Sequence, residues 1–384
     1  MNKSYLKANI IEAIERAKYL KNLIHRPIEY PEIIGLVEKC SSILDGNILY
    51  LNEIIDKIKE REDDDIRDLF RSYRQSFRAI RTIEYFGIPA LHYQTDDVKF
   101  LNKLIFKIHN EINLPFVAPC VACYSNKYYW IHGITNVVFM PIGEAGSMLH
   151  LPDIFHELGH ATIFNKDNDY KLEPIKQTYE KLIDCVTSHY EHERNIRARQ
   201  TGPEEIPLHI HHWHSQWKER WLDEFFSDLF ACYTLGPAYV WTHLHVTTKT
   251  SDDIFHLEKP PIPQSHPSDE SRMRVLEIGL KLTGFISESK EIIDLWEKMP
   301  FVTSSAPIHE YQFAYPKPLM KQIAKLMLDG MNKSGFSILT PDELRRLDDS
   351  TIRKKLNDAW REFWRNPNYI EWEKGILSDL KKVT

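Results

Sequence analysis

Cysteine is scarce in this chain, and a long apolar run is absent. Five cysteines among 384 residues are too few, and odd in number, for the disulfide framework of a small secreted protein. No apolar run approaches the ~18 residues that a helix needs to cross a bilayer, and the charged N-terminal residues lack the apolar stretch of a signal peptide. We therefore expect a cytoplasmic protein without a membrane span.

An excess of positive charge is also absent. Lys and Arg together number 49 against 55 Asp and Glu, which gives a formal net charge of −6. The overall balance therefore gives no indication of a nucleic-acid partner. A chain of this length can bury a large core in two or three subdomains. The oligomeric state stays open at this stage.

The spacing of apolar residues divides the chain into three regions. Residues 1–112 show apolar positions three and four apart, which predicts an all-helical region with helices over 4–26, 31–61 and 63–86. Residues 113–283 open with β-branched and aromatic runs typical of strands, at 116–118, 128–131 and 137–140. Residues 284–384 return to helical periodicity over 287–298, 317–333 and 341–365. The expected fold class is α+β and mostly helical.

The sequence His156-Glu157-x-x-His160 is an H-E-x-x-H motif. Two imidazoles four residues apart lie on one face of a helix, where both can bind a single metal ion. Glu157 faces the same space and can take a proton from a metal-bound water. Pro152 and Asp153 are typical of a helix start, which places the motif in the first turns of a helix.

The motif helix is expected to be buried. Its apolar stripe consists of Ile154, Phe155, Leu158, Ala161 and Ile163. Two buried histidines and a buried glutamate would be costly without a compensating ion. Gly159 is a poor helix former, and the absence of a side chain there would let a neighbouring strand or the substrate approach closely.

A catalytic zinc takes a third protein ligand and leaves its fourth position to water. The strongly apolar segment 221–231 carries Glu224 and Asp228 on one helix face. We expect Glu224 to bind zinc and Asp228 to accept a hydrogen bond from the far N–H of a ligand imidazole. Asp223 is the fallback ligand.

A third block of candidate site residues follows a proline-rich loop. Ser268 is expected to cap a helix, which would hold His266 on a fixed loop just before it. His266 could donate a hydrogen bond to the oxyanion that forms when a carbonyl is attacked. Arg272 could anchor the loop or pair with an acidic group.

These blocks together resemble the gluzincin class of zinc metallopeptidases, which includes thermolysin. The resemblance spans roughly residues 127–280 and consists of His156-Glu157-x-x-His160, Glu224-x-x-x-Asp228 and the His266-Pro267 loop with Arg272. It implies zinc bound by His156, His160 and Glu224. It also implies Glu157 as the base and Asp228 as the group that orients a ligand histidine.

The resemblance further implies a zincin-like core that contains a small sheet and the active-site helix, between helical flanks. In such folds an edge strand beside the motif helix pairs with the extended substrate, and residues 136–140 are the candidate here. The run 151–160 is also similar to the pterin-dependent aromatic amino acid hydroxylases, which hold iron with two histidines and a carboxylate. Their histidines are five residues apart, whereas His156 and His160 are four apart, and this difference favours zinc.

Two other motifs are expected to be structural. Cys120-Val121-Ala122-Cys123 has no second cysteine pair to complete a zinc site, and its surroundings are typical of a strand. The histidine-rich run 209–214 is most simply part of a loop or the start of a helix.

The predicted function is therefore zinc-dependent hydrolysis of peptide bonds in a peptide or protein substrate. Glu157 and His266 are the expected catalytic residues. Two alternatives stay open: a non-haem iron oxygenase with the same three ligands, and a metal-stabilised regulatory module without turnover. An intact Glu157 counts against the second, because a structural site needs no base. The substrate and its preferred length are not identified by the sequence.

Overall fold

The computed structural model of the protein describes residues 3–24, 31–61, 66–125, 128–201 and 208–383. Residues 62–65, which include the predicted start of the third helix at residue 63, lie outside the described residues, as do residues 202–207. The chain is mostly helical with one small three-stranded sheet. It forms two compact units, the first of residues 1–106 and 117–145 and the second of residues 107–116 and 146–383. The boundaries of the three predicted regions stay a prediction.

The first unit is built on amphipathic helices whose apolar faces meet. Its helices are α1 (Lys3–Ile24), α2 (Ile34–Glu60), α3 (Arg67–Thr82), α4 (Ile88–His92) and α5 (Asp96–Glu111), the last of which contributes to both units. A π-helical turn, Ile83–Gly87, joins α3 to α4. The predicted spacing is visible in α1, where Ile10, Ala13 and Ala17 are buried.

The sheet of the first unit corrects two expectations. Its strands are β1 (Cys120–Ala122), β2 (Trp130–His132) and β3 (Val137–Phe139), in the order β1-β3-β2. Because β3 pairs with β1 on one side and β2 on the other, residues 136–140 do not offer a free edge to a substrate. Residues 116–118 form no strand, since Pro115 and Pro119 flank them and cannot donate to a ladder.

The second unit is all-helical among its described residues. Its helices are α6 (Asp153–Asn165), α7 (Glu173–Thr201), α8 (Leu208–Gln216), α9 (Leu222–Leu235), α10 (Pro237–Thr250), α11 (Asp269–Thr283), α12 (Ile286–Trp296), α13 (Met299–Val302), α14 (Tyr311–Ala314), α15 (Lys317–Lys333), α16 (Pro341–Arg346), α17 (Ile352–Arg365) and α18 (Tyr369–Val383). The helix predicted over 341–365 is therefore two helices. Asp348 explains the break, because its carboxylate accepts from the backbone N–H of Ser350 and its carbonyl accepts from that of Thr351.

Helix α9 lies at the centre of the second unit. Every residue from Glu224 to Leu235 is buried, and the helix contacts α6, α10, α11 and α15. Burial of a large apolar side chain such as Phe225 or Leu229 contributes about 1.5–3 kcal/mol. The position of any polar side chain on α9 is therefore set by dense packing on all sides.

Helices α6 and α9 approach each other at a glycine. A Cβ atom added at Gly159 would lie 2.6 Å from the Cα of Ser227. The close approach expected at Gly159 is therefore present, but the neighbour is a helix rather than a strand or a substrate. None of the helices in the described part of the chain is long and apolar enough to cross a membrane.

We predict that Gly159→Ala destabilises the protein and weakens metal binding. Alanine is the better helix former by about 1 kcal/mol, but its methyl group must push the α9 backbone away, at a cost of about 1–3 kcal/mol. Gly375→Ala in α18 is the matched control, because nothing lies within 4 Å of its added Cβ. Denaturant unfolding and zinc titration should show a loss in the first variant and none in the control. Equal or greater stability of Gly159→Ala would contradict the packing described here.

Candidate metal centre

Helix α6 presents the two motif histidines toward α9. Its neighbouring residues Phe155, Leu158 and Ala161 are fully buried, which fixes the rotation of the helix. His156 is 8% exposed, and the side chain of His160 is 16% exposed. Their Nε2 atoms lie 3.1 Å apart. The spacing of four residues therefore brings both ring nitrogens to one point, as the motif predicts.

Glu224 reaches the same point from α9. Its Oε2 lies 3.5 Å from His156 Nε2, and its Oε1 lies 3.5 Å from His160 Nε2. One atom from each of the three residues lies within 4.8 Å of the others. Within the described ranges this is the only group of three or more such side chains close enough to hold a metal ion. Two imidazole nitrogens and a carboxylate oxygen are a donor set that zinc accepts.

Two buried carboxylate oxygens support a cation at this point. Oε2 of Glu157 is buried and has no hydrogen-bond partner, and the buried Oε2 of Glu224 has only the 3.5 Å approach of Nε2 of His156. Buried polar atoms are nearly always hydrogen-bonded, because leaving one unpaired costs free energy. A cation and the water it carries would satisfy both atoms. The donors present therefore fit a divalent metal.

Asp228 lies one helical turn after Glu224 and is fully buried. Its Oδ1 lies 3.0 Å from Nδ1 of His156, the nitrogen opposite the ligand cluster. A carboxylate only accepts hydrogen bonds, so Nδ1 carries the proton and Nε2 is left free for a metal. The four-residue spacing after Glu224 therefore turns Asp228 toward the imidazole, as the sequence suggests.

Arg272 and Tyr239 complete the surroundings of Asp228. Arg272 donates to both carboxylate oxygens, from Nη2 to Oδ1 at 2.7 Å and from Nε to Oδ2 at 2.8 Å. The Tyr239 hydroxyl donates to Oδ1 at 2.5 Å and lies 3.0 Å from Nδ1 of His156. Tyr239 was not among the residues predicted for the site. It lies in α10, in a segment without a recognisable motif, so no signal in the sequence pointed to it.

The charges around the centre shift its pKa values in a consistent pattern. Burial would lower the pKa of His156, but its contacts with Asp228 and Glu224 outweigh burial and raise it to about 10. Burial lowers the pKa of His160 to about 4. Glu224 is also buried, yet its contacts with the two histidines bring its pKa down to about 2. The metal-free centre at neutral pH therefore holds one protonated and one neutral imidazole beside a carboxylate.

Glu157 has the environment of a proton-transfer group. It is 4% exposed, and burial together with the charge of Glu224 raises its pKa to about 8, although the charge of His156 acts in the opposite direction. A pKa near the working pH is what a general acid–base residue requires.

The loop before α11 places His266 at the rim of the centre. The Ser268 side chain caps α11 by accepting from the N–H of Ser271, as predicted. The side chain of His266 is 61% exposed, and its Nε2 lies 3.7 Å from Oε1 of Glu224. Asp223, the fallback ligand, instead accepts a hydrogen bond from Tyr179 and does not belong to the three-residue group.

The remaining motifs take no part in this group. Cys120 and Cys123 are buried free thiols in the first unit, and burial raises the pKa of each to about 12, so neither is reactive at neutral pH. The histidine-rich run lies in helix α8, Leu208–Gln216. None of its side chains takes part in the group that could hold a metal.

Comparison with known proteins adds no relative. No family model matches the chain, and neither curated proteins nor solved structures yield a significant match. The geometry of the centre and the sequence motifs are therefore the guides to function.

We predict that zinc uptake at pH 7 releases about one to two protons. His156 and Glu157, with pKa values of about 10 and about 8, both hold protons at this pH in the metal-free centre, and the metal must displace the first. His160 releases none, because it is already neutral. Zinc affinity should therefore rise with pH across the neutral range. Isothermal titration in two buffers of different ionisation enthalpy measures the release, and the absence of any release would show that His156 is not a ligand.

We predict that Asp228→Asn weakens zinc binding by ~10–100-fold, the usual effect of losing a group that orients a ligand. It should also destabilise the fold by about 3–5 kcal/mol, because Arg272 loses its buried counter-charge. Tyr239→Phe is the milder companion, since it removes a hydroxyl and no charge, and it should weaken zinc binding less than tenfold. Competition with a chelator measures both affinities. Unchanged zinc affinity in Asp228→Asn would show that Asp228 does not orient His156 for metal binding.

Proposed function

We propose that this protein is a zinc-dependent metallopeptidase. The observation that carries the proposal is the convergence of three ligand atoms beside a buried carboxylate, that of Glu157, which has an unpartnered oxygen and a raised pKa. The resemblance of the three sequence blocks to gluzincins supports the same reaction. We interpret α6 and α9 as the helices of a zincin-like core.

His156, His160 and Glu224 would hold the metal. A zinc ion bound there supplies a Lewis acid that polarises a carbonyl group and lowers the pKa of water. The protein's own contribution begins with the fixed orientation of these ligands. Asp228 holds His156 in one tautomer, and Arg272 keeps Asp228 ionised, since its charge holds the pKa of Asp228 well below the usual range despite burial.

Glu157 would move the proton during hydrolysis. Its carboxylate takes a proton from the attacking water and returns it to the amine that leaves when the peptide C–N bond breaks. The raised pKa makes both transfers feasible near neutral pH. His266, exposed at the rim, would donate a hydrogen bond to the carbonyl oxygen as negative charge develops on it.

A cavity beside His266 offers space for a substrate. It has a volume of about 520 Å³, within the range of small-molecule and peptide side-chain pockets. Its wall is formed by Thr250, Ser251, Asp252, Asp253, His256, Glu258, Pro263, Gln264, Ser265, His266, Pro267, Ser268 and Asp269. His266 belongs to this wall and also lies 3.7 Å from Oε1 of Glu224, so it connects the cavity with the metal centre. We further propose a reducing compartment, consistent with five free cysteines.

We predict about one zinc per chain in the purified protein, measured by elemental mass spectrometry. We also predict cleavage within a random peptide library by the zinc-loaded protein. Stoichiometric iron together with a pterin requirement would instead support the oxygenase alternative. Zinc without any cleavage would support the regulatory module.

We predict that Glu157→Gln keeps its zinc but loses at least ~10² in turnover, because the change removes the proton carrier and not a ligand. Glu180→Gln, at an exposed position of α7, is the matched control and should behave as the wild type. Zinc content and cleavage rate are measured on the same preparations. Retained turnover in Glu157→Gln would refute this role of Glu157.

A further inference from the structure

Helix α3 of the first unit carries five arginines along one side. We call Arg67, Arg71, Arg74, Arg78 and Arg81 the arginine row. At 3.6 residues per turn they fall within an arc about 80° wide and span roughly 21 Å along the helix axis. All five are exposed, whereas Leu69, Tyr73, Ser76 and Ile80 on the opposite side are buried. The arginine row therefore faces away from the core of its unit.

Among the described residues, little neutralises this charge. Across the described ranges, Arg67, Arg71, Arg74 and Arg78 form no ion pair. The only acidic residue of α3, Asp68, pairs instead with Arg61 at 2.7 Å. Like charges three and four residues apart repel each other and destabilise a helix. A helix that retains such repulsion, with no ion-pair partner among the described residues for Arg67, Arg71, Arg74 and Arg78, is suited to an external anion.

The arginine row borders an open space and ends next to an exposed tyrosine. The side chains of the row enclose an open space of about 530 Å³ on the surface of α3, lined by Arg67, Phe70, Arg71, Arg74, Gln75 and Arg78. Just beyond the row, Tyr85 is 51% exposed, and the guanidinium of Arg81 lies 4.8 Å from the centre of its ring. Guanidinium groups bind phosphate in a bidentate manner, and an exposed aromatic ring can stack on a base.

These features favour one class of partner. A stable protein interface needs a buried apolar centre, which this charged side of α3 does not offer. A membrane-surface helix inserts an apolar face, and the apolar face of α3 is already buried in its unit. We propose that the arginine row binds the phosphate backbone of single-stranded nucleic acid without sequence preference. The net charge of −6 gave no reason to expect this partner, because it averages a local concentration of positive charge over the whole chain.

Fluorescence anisotropy with labelled 20-nucleotide poly(U) and poly(dT) tests the proposal on the full chain. With four to five phosphates contacted, we expect affinity to fall roughly 50- to 130-fold between 50 and 200 mM salt. The triple variant Arg71→Gln, Arg74→Gln, Arg78→Gln should lose at least tenfold in affinity. Its melting temperature should rise, because the repulsion within α3 is relieved.

The matched control removes three exposed charges elsewhere, in Lys317→Gln, Lys321→Gln, Lys325→Gln on α15. It should bind within about threefold of the wild type, since the same change in net charge leaves the arginine row intact. Absence of binding by the wild type would overturn the proposal, as would equal losses in the two triple variants. Tighter binding to duplex DNA, or to vesicles containing anionic lipid, would overturn it as well.

Discussion

The close approach of α6 and α9 at Gly159 and Ser227 is the constraint on which the candidate centre depends. Close packing of the two helices brings the imidazoles of α6 and the carboxylate of α9 within reach of one ion. A glycine at the crossing permits this contact, and Glu224, one turn before Ser227, then lies within 3.5 Å of both imidazoles. Any side chain at position 159 would separate the helices and, with them, the ligands.

A second requirement is compensation of charge in a dry interior. His156, Asp228 and Arg272 form a chain of buried charges in which each group has an opposite neighbour. Such a chain adds little net stability, because removing ions from water costs several kcal/mol for each. The chain does fix the orientation of Asp228, since Arg272 donates hydrogen bonds to both carboxylate oxygens. The carboxylate therefore faces His156 in one orientation. We infer that these buried charges hold the ligands in place, while the apolar packing around α9 stabilises the fold.

The sequence predicted much of the centre, because helical periodicity is local. The spacing from His156 to His160 and from Glu224 to Asp228 places each pair on one helix face, and the structure brings the two faces together. Contacts between residues that are distant in the sequence could not be predicted in this way. Tyr239 comes from a separate helix that carries no motif. Strand β3 lies between β1 and β2 because of pairing between distant segments, which the residues of β3 alone do not reveal. The arginine row was overlooked for a different reason, since a net charge of −6 conceals a concentration of positive charge on one helix.

The most direct test is diffraction from crystals of the zinc-loaded protein, recorded on both sides of the zinc absorption edge. We expect one anomalous peak, bonded to Nε2 of His156, Nε2 of His160 and a carboxylate oxygen of Glu224, at about 2.0–2.2 Å from each. Bonds from one ion to all three residues would confirm that α6 and α9 form a single metal site. A peak elsewhere, at Cys120 and Cys123 or on the histidines of α8, with none between α6 and α9, would contradict the account.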